Sequence, residues 1–101
     1  MAKYKLTRLS EADLETILEY NLNTWGGKQG ERYLGNLQAC LQELADQPRL
    51  GRNCDAIRSG LMRMEHGRHV MFYRPKEYGI RVICILHQIM LPEHHLLDEK
   101  E

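Results

Sequence analysis

From Lys3 to Leu9 the chain alternates weakly, with Tyr4 and Leu6 on one side and Lys3, Lys5 and Thr7 on the other, which predicts a first strand. The period then changes. Ser10 has the position of a helix N-cap with Asp13 three residues on, close to a capping box, and Leu9 and Leu14 have the spacing of a hydrophobic staple. Leu14, Ile17, Leu18 and Leu22 form one helical stripe, while Glu11, Glu15 and Glu19 face away and suit the helix dipole. Gly26-Gly27 stops this helix after Trp25. A second helix carries Tyr33, Leu34, Leu37, Cys40, Leu41 and Leu44 in register until Pro48. Gly35 lies inside it, a residue that costs roughly 1 kcal/mol relative to Ala and so predicts a close backbone approach.

Residues 48–60 read as a loop, and three strands follow at Leu61–His66, His69–Arg74 and Ile80–His87. Their short breaks, Gly67-Arg68 and Pro75–Gly79, predict an antiparallel meander. Ile80–Leu86 becomes apolar on both faces towards its end, which places that strand inside the sheet. A short segment with Pro92 runs from Met90 to Leu97, and Asp98–Glu101 is a polar tail, leaving one domain over residues 1–97. The order β-α-α-β-β-β predicts an α+β fold, a helical hairpin packed on one face of a small antiparallel-rich sheet.

Composition narrows the class. At 101 residues, 43% hydrophobic and 28% charged, the chain has room for one core and is neither disordered nor fibrous. No apolar run approaches the ~20 residues of a membrane span, and no secretory h-region follows Met1. Cys40, Cys54 and Cys84 are odd in number and not closely spaced, which predicts reduced thiols and a cytoplasmic setting. The net charge of zero hides an asymmetry. Residues 49–81 hold eight basic and three acidic side chains, a net +5, so the rest of the chain carries −5. Such separation attracts an acidic partner to one face, unless the arginines only solvate a sheet.

Candidate chemistry is sparse. His66-x-x-His69 lacks the Cys or carboxylate that would complete a tetrahedral metal set, and the adjacent His94-His95 would point to opposite faces of a strand. No metal or cofactor is expected, and no phosphate loop or dinucleotide fingerprint is present. Nor do the basic residues lie on a helix that would enter a groove, so sequence-specific nucleic-acid binding is not expected. RNA cleavage through the 2′-hydroxyl needs a base, an acid and cations for the phosphate. Glu65, His66, His69 and His87 are possible proton carriers, and Arg63, Arg68, Arg74 and Arg81 possible cations. On a meander Arg63, Arg74 and His87 would approach one another on the exposed face; the plainer reading is a solvated Arg/His surface.

Several strings, in order, resemble the ParE branch of the RelE/ParE toxin superfamily: residues 6–14 (LTRLSEADL), Trp25-Gly26 with Glu31-Arg32-Tyr33, residues 48–52 (PRLGR), 60–63 (GLMR), 67–74 (GRHVMFYR) and 85–88 (ILHQ). The resemblance spans Tyr4 to Leu96; Cys84 stands where many ParE-like chains carry Arg, and Leu18 where an aromatic is common. It implies a non-enzymatic toxin of a type II toxin–antitoxin pair that binds and blocks DNA gyrase. A ParD-like antitoxin would neutralise it by wrapping a C-terminal segment around it. On that reading Arg58, Arg63, Arg68, His69, Arg74 and His87 form the gyrase-binding face, and Leu14, Leu18, Trp25, Tyr33 and Leu37 cradle the antitoxin. The alternative is a RelE-like, ribosome-dependent messenger RNA endonuclease, with His87 or Glu65 as proton carrier and Arg63 and Arg81 on the phosphate.

Overall fold

A computed structural model describes residues 2–87. Strand β1 (Lys3–Leu6) is followed by helices α1 (Arg8–Trp25) and α2 (Gly27–Asp46) and a single 3-10 turn at Pro48–Leu50. Then come β2 (Arg52–Asn53), β3 (Met62–His66), β4 (His69–Lys76) and β5 (Gly79–His87). The sheet order is β1-β5-β4-β3-β2, with β1 parallel to β5 and every other pair antiparallel. The α+β class, the hairpin of helices on one face, the meander and the interior position of the last strand all hold. The two-residue β2 emerges from the segment read as a loop, too short to show a period in sequence.

The start of α1 differs from expectation by one turn. Thr7, not Ser10, is the N-cap: its hydroxyl accepts from the Ser10 N–H at 3.1 Å and donates to the Ile83 carbonyl at 2.7 Å. The first strand therefore ends at Leu6, and Leu9 is left 46% exposed without serving as a staple. Asp13 has a different task, accepting the Ile85 N–H at 2.8 Å. Both contacts answer a bulge in β5. Phe72 pairs with Cys84 but Tyr73 pairs with Val82, so Ile83 is an extra residue with no counterpart in β4, and its carbonyl is taken up by Thr7.

The bulge also explains the two-sided apolar run. Ile80, Val82 and Ile85 join Leu37, Leu41, Leu44, Met71 and Tyr73 in the core beneath the helices. Ile83, Cys84 and Leu86 join Leu61, Val70, Phe72 and Cys54 on the opposite face. Leu37, Leu41 and Leu44 have no exposed surface, each contributing about 1.5–3 kcal/mol by burial. The buried stripe of α1 is Ser10, Ile17 and Asn21 with Leu14 partly covered, whereas Leu22 is 41% exposed. The close helix approach occurs at Gly30, where a Cβ would stand 3.3 Å from the backbone of Asn21, and not at Gly35, which has nothing near it. The segment before β3 is anchored by Tyr73, whose phenol donates to the Pro48 carbonyl at 2.7 Å and accepts from Gly51 N–H at 3.0 Å. A Cβ at Gly51 would collide with that phenol and with the Arg63 carbonyl, so only glycine fits.

The three cysteines are free thiols, Cys54 and Cys84 buried and Cys40 partly so. Among the described residues no helix is long and apolar enough to cross a membrane. The 90–97 segment, the tail and His94-His95 lie outside the described residues.

Candidate functional site

The pleat divides the candidate residues between two faces. Cross-strand partners share a face, and residues two apart along a strand share it too. Arg63 opposite Phe72 and Arg74 opposite Arg81 therefore point away from the helices. His69 opposite His87 points toward the helical side. The expected approach of Arg63, Arg74 and His87 does not occur, because alternation puts His87 on the other side of the sheet.

On the outer face, Arg63 lies 5.8 Å from the Phe72 ring centre and donates to Glu65 at 2.7 Å; Arg52 pairs with the same carboxylate. Burial pushes the Glu65 carboxyl up, but the hydrogen bond and charge of Arg63, with those of Arg52, outweigh it and hold the pKa low. A carboxylate held ionised by two guanidiniums is a poor proton carrier. Arg74 donates to the Ser59 carbonyl at 2.6 Å, and Asp55 organises the same loop by accepting the Gly60 N–H at 2.7 Å. Arg58 lies in this loop, half-buried. On this face the charges pair among themselves and with the loop at the margin of the buried Leu61–Val70–Phe72 cluster.

On the helical side, at the end where α1 meets α2, Tyr20, Asn21 and Trp25 from α1 and Gln29, Arg32, Tyr33 and Asn36 from α2 face Arg68, His69 and His87 across a cleft of ≈ 370 Å³. Its floor is a phenol–imidazole pair: the Tyr33 oxygen is 2.6 Å from His69 Nδ1 and 3.3 Å from the His66 carbonyl, and it accepts the Arg68 N–H at 3.3 Å. The phenol donates to the His66 carbonyl when His69 Nδ1 carries a proton, and can donate to Nδ1 in the other tautomer. Burial, followed by the charges of His87, His66 and Arg68, keeps the ring neutral by lowering the His69 pKa to about 4. Burial likewise raises the Tyr33 pKa, against the opposing Arg68 N–H and charge. His87 meets the edge of His69 with ring centres 5.3 Å apart. Arg68 lies 5.5 Å from the Trp25 ring centre, a cation–π contact.

Gly67 makes this packing possible. Its φ is +57°, and a Cβ there would stand 2.8 Å from the Tyr33 hydroxyl. An imidazole with a pKa near 4 is a weak base at neutral pH, so the pair is suited to holding geometry rather than to taking protons from a substrate. With His87 as proton carrier the endonuclease set is not assembled, since Arg63 and Arg81 lie on the other side of the sheet; Glu65 shares the outer face with them, but its carboxyl is held ionised by Arg63 and Arg52. Among the described residues no group of three His, Cys, Asp or Glu is placed to hold a metal ion.

Of the antitoxin candidates, Trp25 is 47% exposed, Leu18 and Leu14 are partly covered, and Tyr33 is engaged with His69. Leu37 is corrected: with 0% exposure it is a core residue and presents nothing to a partner. Sequence reasoning missed Tyr20, Asn21, Gln29, Arg32 and Asn36. Only Asn21 left a signal, as a polar residue four positions after Ile17 on the inward stripe.

Comparison with known proteins follows this geometry. Residues 4–92 match the family model described as "ParE toxin of type II toxin-antitoxin system, parDE". Toxin ParE1 of Mycobacterium tuberculosis is 38% identical over 96 residues, covering 94% of this chain and 98% of the relative. Toxin ParE1 of Caulobacter vibrioides is 39% identical over 98 residues, with 95% and 99% coverage. The fold is similar to a solved structure titled "Chromosomal ParDE TA system from P. aeruginosa", with a TM-score of 0.70 at 19% identity, covering 86% of this chain and 96% of that one.

Proposed function

Since the chain belongs to the ParE toxin family of type II toxin–antitoxin systems, we propose that it arrests growth by binding DNA gyrase in the cytoplasm, without chemistry of its own, and that a ParD-like antitoxin neutralises it. The observation that carries the binding mode is the distribution of exposed large apolar side chains. Among the described residues, four of the five, Leu9, Tyr20, Leu22 and Trp25, lie on α1, and the fifth is Leu50. Leu22 and Trp25 share one side of that helix with the partly covered Leu18, and an uncovered i, i+4, i+7 stripe suits an amphipathic partner segment laid along it. Leu18 and Trp25 belong to this antitoxin surface, with Leu14 and Tyr33 at its inner margin.

Gyrase binding is assigned to the outer arginines Arg58, Arg63 and Arg74; Arg68, His69 and His87, at the cleft on the other side of the sheet, do not belong to that face. A basic segment of net +5 favours an acidic partner and makes association weaken with salt. The non-catalytic reading is supported by the low basicity of His69 and by the placement of Arg63 and Arg81 away from His87.

The test adds purified protein to a gyrase supercoiling reaction and, separately, to translating ribosomes. Loss of supercoiling with intact message is the expected result. Site-specific message cleavage with untouched supercoiling overturns the proposal in favour of the endonuclease.

A further inference from the structure

The cleft contains one group that the packing of the chain does not explain. Asn21 is 5% exposed, lines the cleft, and its Nδ2 has no hydrogen-bond partner. A buried donor without an acceptor costs about 1–3 kcal/mol, so Asn21 favours any acceptor that the cleft takes up, a ligand's as well as a water's.

The rest of the lining limits what that acceptor belongs to. Tyr20 and Trp25 are 56% and 47% exposed and offer flat apolar faces. Arg68 carries its guanidinium over Trp25, and Arg32 adds a second exposed cation. Gln29 and Asn36 supply amides able both to donate and to accept. Among the described residues no carboxylate lines the cleft. Its volume, ≈ 370 Å³, lies within the ~300–1,000 Å³ range of small-molecule sites. Its described walls are side chains from α1, α2, the β3–β4 turn and the end of β5, with no open strand edge along which an extended peptide would pair.

We propose that this cleft binds a nucleoside monophosphate, its base lying on the Tyr20 and Trp25 rings with a base-edge acceptor reaching Asn21 Nδ2, and its phosphate held by Arg68 and Arg32. Each part matches a known physical preference: aromatic rings stack bases, guanidiniums pair with phosphate oxygens, and amides read base edges. The proposal goes beyond the gyrase and antitoxin reading and rests on other observations, while sharing Trp25 with the antitoxin surface.

Trp25 is the only tryptophan of the chain, so its emission reports directly on the site. The full-length chain is titrated with AMP, GMP, CMP and UMP, with calorimetry in parallel; inorganic phosphate and ribose 5-phosphate serve as controls. The expected result is saturable quenching by at least one nucleotide and heat of binding with the same midpoint. Arg68→Ala should weaken affinity about tenfold or more, the loss of one charge-assisted contact. Asn21→Leu should raise the urea midpoint of the free chain while lowering nucleotide affinity, a pairing that a merely structural asparagine would not give. Absence of saturable binding by all four nucleotides overturns the proposal. So does binding of ribose 5-phosphate as tight as that of the nucleotides, or nucleotide affinity unchanged in Arg68→Ala. Gyrase and antitoxin binding are read in separate assays, so failure of nucleotide binding leaves that reading standing.

Discussion

The outer face of the sheet and the cleft at its helical side are built from the same stretch of chain and the same residue types, yet they differ physically. Arg63, Glu65 and Arg74 point outward, where Arg52 and Arg63 share the Glu65 carboxylate and Arg74 donates to a loop carbonyl. His66, Arg68 and His69 reach the other side, where burial holds an imidazole neutral, a phenol bridges two strands and an amide goes unpaired. The difference shows that a basic segment in sequence is not one surface. Pleat alternation separates a screened network, worth little to stability, from a desolvated cluster in which each polar contact matters.

Gly67→Ala should break the contrast most sharply, because the added methyl meets the Tyr33 hydroxyl at a backbone conformation that L residues rarely adopt. A loss of about 1–3 kcal/mol is expected in urea unfolding, together with a change in Trp25 emission. The next effect is pH dependence. The His69 pKa lies at about 4 when folded, against an ordinary histidine value of 6.5, so between these values the unfolded chain binds the proton and the folded chain does not. Stability contributed by the neutral imidazole is therefore complete above about pH 6.5 and falls as the solution is acidified towards pH 4. After discounting for partial exposure, the loss is on the order of 1–2 kcal/mol. His69→Gln should flatten the stability profile across that window, as followed by denaturant melts at fixed salt; a profile identical to that of the parent chain would show that the imidazole is not desolvated. Glu65→Gln on the outer face should have the smallest effect, a few tenths of a kcal/mol that vanishes in high salt.

Much of this molecule is legible in its periodicity. The α2 stripe, the Gly26 break, the Gly67 turn and the interior last strand all follow from local patterns and turn chemistry. The missed features are long-range. Thr7 becomes the cap because its hydroxyl also meets the bulged β5, a contact 76 residues away in sequence. Asp13 reads as a capping residue but pairs with Ile85, and Gly35 reads as a crossing point although Gly30 is the crowded one. The site was legible by composition but not by grouping. His69, His87 and Tyr33 were each identifiable, but their meeting depends on strand register and helix placement. That same register carries Arg63 and Arg74 away from them.

The central claim is that harm comes from holding another macromolecule. Its most direct measurement is equilibrium binding of the purified chain to immobilised gyrase across a salt series. The account predicts saturable binding that weakens as salt rises and is lost when a ParD-like antitoxin is added first. No binding to gyrase at any salt, from a chain that still arrests growth, would contradict it.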